Sequence, residues 1–109
     1  KETRTFLADP DPEKRKTLIA ALLEREEYVD YWSYRWSDIF LVNGQLLRPD
    51  AVKAYYEWIR SGVSRNLSWD KMAREVITAK GLSTENGATN FYAVHQDPET
   101  VAENVSQAF

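Results

Sequence analysis

The chain has 109 residues, 43% apolar and 28% charged, the size and composition of one packed domain and not of a disordered or fibrous chain. Fourteen basic residues against seventeen acidic ones, interspersed throughout, leave a net charge of −3 and exclude the basic footprint of a nucleic-acid binder. No apolar run reaches the length of a membrane span and cysteine is absent, which excludes disulfides, thiolate metal sites and covalent haem attachment within these residues.

Asp9-Pro10-Asp11-Pro12-Glu13 predicts a helix start, with Asp11 as cap and Pro12 in the first turn, where its missing donor costs nothing. The helix should cover about 12–25, with Leu18, Ile19, Leu22 and Leu23 as its apolar stripe. A second helix, about 27–41, opens on Glu26, Glu27 and Asp30 and carries Val29, Trp32, Trp36, Ile39 and Phe40 on one face. Tyr28, Tyr31, Tyr34 and Leu41 widen that face enough to predict the central, largely buried helix, ended by Asn43-Gly44.

Pro49 opens a third helix, about 49–61, with Val52, Tyr55, Tyr56 and Ile59 inward and Gly62 as terminator. Ser68 caps a fourth, about 69–80, in which Trp69, Met72, Ala73, Val76 and Ile77 share a face before Gly81 stops it. Residues 81–96 have a turn-forming composition and predict one long loop, which Phe91-Tyr92-Ala93-Val94 tucks back onto the helices. Asp97-Pro98-Glu99 starts a fifth helix with Val101, Val105 and Ala108 on one face.

The expected fold is therefore all-α, a single compact bundle of about five helices with the long loop before the last, residues 1–109 forming one domain. The last helix reaches Phe109 without a stop signal, which predicts a piece of a larger multidomain protein cut within that element.

Few residues carry chemistry. His95 is the only histidine, and acid–base, triad or metal roles need partners that the sequence does not place beside it. It reads as a packing or surface residue, and only the family resemblance given below makes it a candidate cofactor ligand. Asp9-x-Asp11-x-Glu13 opens like a calcium loop, but Lys14 stands where glycine is required and Ala20 at the twelfth position, so no metal site is expected.

The pairs Glu27 with Asp30 and Glu99 with Glu103 read as solvated helix starts, and no catalytic residue is assigned. Asp38, among Trp36, Ile39 and Phe40, needs a partner, and Arg35 makes it a candidate buried polar pair. Asn66-Leu67-Ser68 and Asn104-Val105-Ser106 match a glycosylation sequon, which carries meaning only in a eukaryotic secretory setting.

Several short pieces stand in a family-like order: Phe6-Leu7-Ala8-Asp9-Pro10-Asp11-Pro12 leading to Leu22-Leu23, Tyr28…Trp32…Trp36-x-Asp38, Trp58-Ile59, Asn66-Leu67-Ser68-Trp69-Asp70, Thr78-Ala79-x-Gly81, Asn90-Phe91-Tyr92, and Glu103-Asn104-Val105-Ser106-Gln107-Ala108-Phe109. Together they resemble the N-terminal portion of a bacterial domain of unknown function of planctomycete and verrucomicrobial proteins, the cytochrome-c-associated PSCyt type, over nearly the whole chain. The resemblance implies an exported multidomain protein, periplasmic, surface-attached or secreted. It also implies that the chain continues past Phe109 into a Cys-x-x-Cys-His segment similar to a c-type haem attachment site. No cofactor is expected within these residues, and c-type haem is expected only of the full-length protein.

The leading expectation is a non-catalytic helical scaffold whose partners are the downstream and neighbouring domains of the same protein. Trp32, Trp36, Trp58, Trp69 and Phe91 would form its aromatic wall or core. The alternative is a polysaccharide- or protein-binding module using exposed aromatics. A contiguous exposed aromatic patch favours it, whereas burial of all four tryptophans opposes it. A third reading, an enzyme, requires Arg35, Asp38 and His95 to converge on one concavity. Neither nucleic acid nor a membrane span is expected.

Overall fold

The computed structural model describes all 109 residues and is entirely helical. Its elements are α1 (Glu2–Ala8), α2 (Lys14–Leu23), α3 (Glu26–Ile39), α4 (Pro49–Ser64), α5 (Trp69–Ile77), a 3-10 turn (Gly87–Thr89), α6 (Asn90–Val94) and α7 (Pro98–Ala108). Seven α-helices thus replace the expected five. The two additions are α1, too short to show a periodic stripe, and α6, which forms inside the stretch expected to be a loop.

The core is centred on α4, not α3. Ala51, Tyr55, Ile59 and Gly62 of α4 are buried, whereas Ser33 is the only buried residue within α3. Phe40 and Leu47 from the α3–α4 connection, Met72 and Val76 from α5, and Phe91 from α6 complete the cluster. Tyr55 and Phe40 are fully buried, and the Tyr55 hydroxyl donates to the Phe40 carbonyl at 3.1 Å. That bond satisfies a polar group the core would otherwise strand, and burial raises the Tyr55 pKa far above its ordinary value.

Helix ends depart from the sequence signals in an informative way. α3 stops at Ile39, ahead of Asn43-Gly44, because Leu41 takes the left-handed conformation (φ 53°). The Val42 N–H then reaches the Ser37 carbonyl at 2.9 Å and the Leu41 N–H the Asp38 carbonyl at 3.2 Å, the paired bonds of a Schellman end. α4 runs straight through Gly62 to Ser64 and ends by the same device at Asn66 (φ 48°), where Leu67 N–H bonds the Gly62 carbonyl and Asn66 N–H that of Val63. α5 ends at Ile77, ahead of Gly81, and Ser68 makes no side-chain capping bond at its start. Asp97 caps α7 as expected, accepting from the Thr100 N–H at 2.8 Å with Pro98 in the first turn.

The 3-10 turn lies directly against α4. A Cβ on Gly87 would sit 2.1 Å from the Ala54 carbonyl oxygen and 2.7 Å from Trp58 Cβ, so only glycine allows this approach. Phe91 enters the core just after this turn, as expected of the 91–94 tail.

α1 and α2 stand apart. Neither contains a buried residue, and the predicted stripe of α2 leaves Ile19, Leu22 and Leu23 exposed. Surface contacts hold the pair: Arg25 grips the Glu2 carboxylate at 2.7 and 3.2 Å, and Lys14 Nζ lies 5.1 Å from the centre of the Phe6 ring. The molecule measures 57 × 26 × 19 Å with a radius of gyration of 17.7 Å, above the roughly 13 Å of a globular chain of this length. The packed part is built from α3 to α7. No helix is long and apolar enough to cross a membrane.

Candidate functional site

Tyr28, Trp32 and Trp36 recur every fourth residue of α3 and so rise in one row along it. The left-handed turn at Asn66 reverses the chain and delivers Trp69, the first residue of α5, to the end of that row. Trp36 and Trp69 meet at 4.0 Å between ring centroids with their planes 64° apart, and Tyr28 and Trp32 at 6.3 Å and 58°. Between them runs an open groove of about 230 Å³. Gly62, Val63, Asn66 and Leu67 line its second side and Met72 adds to the lining from α5.

No lining residue carries a charge at neutral pH. Trp32 remains 41% and Trp69 52% exposed. Their indole N–H groups, that of Trp36, the Tyr28 hydroxyl and the Asn66 side-chain amide have no hydrogen-bond partner within the protein. Trp58 differs, donating to Glu75 at 2.8 Å between α4 and α5.

The expected aromatic wall therefore divides. Trp32, Trp36 and Trp69 line the groove, Phe91 lies in the core, half-buried Trp58 packs against that core, and Trp36 does both, touching the core from the groove side. None of the four tryptophans is buried. Reasoning from residue type misses Asn66, Val63, Leu67 and Met72 as lining residues. The signal that points to them is Asn66-Leu67-Ser68-Trp69, a turn-forming asparagine just before an aromatic helix start.

Arg35 and Asp38 are not buried and make no bond to one another, which corrects the expected buried pair. Their positions on α3 fall outside the face turned to α4, so water satisfies them. His95 is buried against Phe91, the ring centroids 4.5 Å apart, and its Nε2 has no partner. Burial lowers its pKa and the Asp97 charge partly restores it. None of the three residues lines the aromatic groove. No three His, Asp or Glu side chains gather closely enough to hold a metal ion.

The chain matches the model of the family PSCyt2, described as a protein of unknown function (DUF1549), over residues 1–108. It belongs to that family. No curated protein matches it, and no solved structure does either.

Proposed function

We propose that the domain is a non-catalytic binding module of an exported multidomain protein, with the aromatic groove as its working surface. The carrying observation is that three indoles line one trough beside the core, two of them, Trp32 and Trp69, keeping much of their surface in water while Trp36 is partly buried. Clustered aromatic surface of this kind marks a place where something else is received. The groove offers aromatic faces and no carboxylate, imidazole or amine, a lining suited to recognition.

Nuclear magnetic resonance of the ¹⁵N-labelled domain reads this directly, since each tryptophan gives one indole N–H signal. In a screen of small neutral fragments, groove ligands shift the signals of Trp32, Trp36 and Trp69 and leave that of Trp58 in place. A screen in which no compound moves the three groove signals overturns the reading.

The scaffold reading has one supporting contact. Phe109 lies 6.0 Å from Trp69 and 5.8 Å from Phe40, ring centre to ring centre, so later residues of a longer protein would begin beside the groove. There the aromatics would exclude water from a c-type haem segment. Soret absorbance of the full-length protein, matured where c-type cytochromes acquire haem, tests it. A colourless mature product removes it.

A further inference from the structure

Resting on the groove as the binding surface, we propose that its ligand is a neutral saccharide, recognised one ring at a time by indole faces and by the free polar groups at the rim. Three observations converge on this class. The lining is uncharged, so an anionic or cationic ligand would leave its solvation without a counter-charge in return. The rings of Trp36 and Trp69 stand nearly edge to face at 4.0 Å, forming a corner of flat apolar surface suited to the C–H face of a sugar ring.

The third observation separates a saccharide from an apolar peptide. The Tyr28 hydroxyl, the Asn66 amide and the groove indole N–H groups are all unpartnered within the protein. An apolar side chain seated here would take those it covers out of water with nothing in exchange. A ring edged with hydroxyls offers donors and acceptors to the groups it covers. The volume, about 230 Å³, lies below the roughly 300–1,000 Å³ usual for drug-sized ligands. The open form therefore fits one ring of a longer chain better than an enclosed cofactor.

The probes are cellohexaose and mannohexaose, oligogalacturonate as an acidic sugar, and an uncharged leucine-rich peptide, each titrated into the ¹⁵N-labelled domain. A neutral oligosaccharide is expected to shift the Trp32, Trp36 and Trp69 indole signals saturably, with oligogalacturonate at least about tenfold weaker. Trp69→Ala removes an exposed ring and Asn66→Gly deletes the amide while keeping the left-handed turn. Each should weaken binding about tenfold or more with a dispersed amide spectrum retained, and Leu46→Ala, on the exposed α3–α4 connection, should not. Binding of the peptide alone, or of oligogalacturonate as tightly as the neutral sugars, overturns the saccharide assignment and leaves the binding module standing. If the fragment screen is also blank, both fall.

Discussion

Leu41 occupies the left-handed region that its β-carbon disfavours by about 1–2 kcal/mol, and the residue is 47% exposed. Leu41→Gly should therefore raise unfolding stability by about 0.5–1 kcal/mol, once the greater freedom of glycine in the unfolded chain is subtracted. Urea denaturation at constant m-value measures it. Asn66 makes the same turn with a residue that tolerates it, although Gly62 and not Asn66 was the terminator expected from the sequence. His95 gives a pH prediction. Its folded-state pKa lies below the ordinary value of about 6.5 because burial disfavours the imidazolium. The unfolded chain therefore takes up the proton first, and stability is complete above about pH 6.5 and declines as pH falls through that value. Thermal melts between about pH 7.5 and 5.5 should show this decline, and His95→Phe, which keeps a ring against Phe91, should flatten it. The depressed carboxyls of Asp70 and Asp97 titrate lower and leave that window to histidine.

Two glycines show how elements are fitted together. Gly62 lies inside α4, and a methyl group there would meet Met72 Cε at an ordinary 3.5 Å. Gly62→Ala should stabilise the domain by about 0.5–1 kcal/mol through helix propensity. Gly87 is the opposite case, since its Cβ would collide with the α4 backbone. Gly87→Ala should cost more than about 2 kcal/mol, displacing the 3-10 turn and with it Phe91. Chemical denaturation of the two variants side by side checks both signs. Five helices were legible from capping signals and apolar spacing. α6 was not, because Gly87-Ala88-Thr89-Asn90 reads as turn, and only its docking on α4 winds residues 90–94 into a helix. α3 misled in another way: its aromatics have the spacing of a buried stripe, yet the row containing Tyr28, Trp32 and Trp36 faces a groove that the fold leaves open. Periodicity identifies a shared face but not what covers it.

At the scale of the molecule, α1 and α2 extend from a core to which they contribute no buried residue. Deleting residues 1–24 should therefore change the unfolding free energy of the remainder by no more than about 0.5 kcal/mol. In the intact chain, amides of α1 should exchange with solvent far faster than those of α4, more so in high salt, which screens the Arg25–Glu2 pair. A protected α1 would show that the segment docks. The candidate site was partly legible, since Trp32, Trp36 and Trp69 stood out by type. Their separation from Trp58 and Phe91 was not, because it depends on a chain reversal at Asn66 that brings residues 33 positions apart, Trp36 and Trp69, into contact. That contact gives the chain an optical handle of its own. Two indole chromophores this close, with crossed planes, couple their electronic transitions and should produce a split circular-dichroism band. A guest wedged against either ring would alter the splitting, so occupancy could be followed by spectroscopy on unlabelled protein.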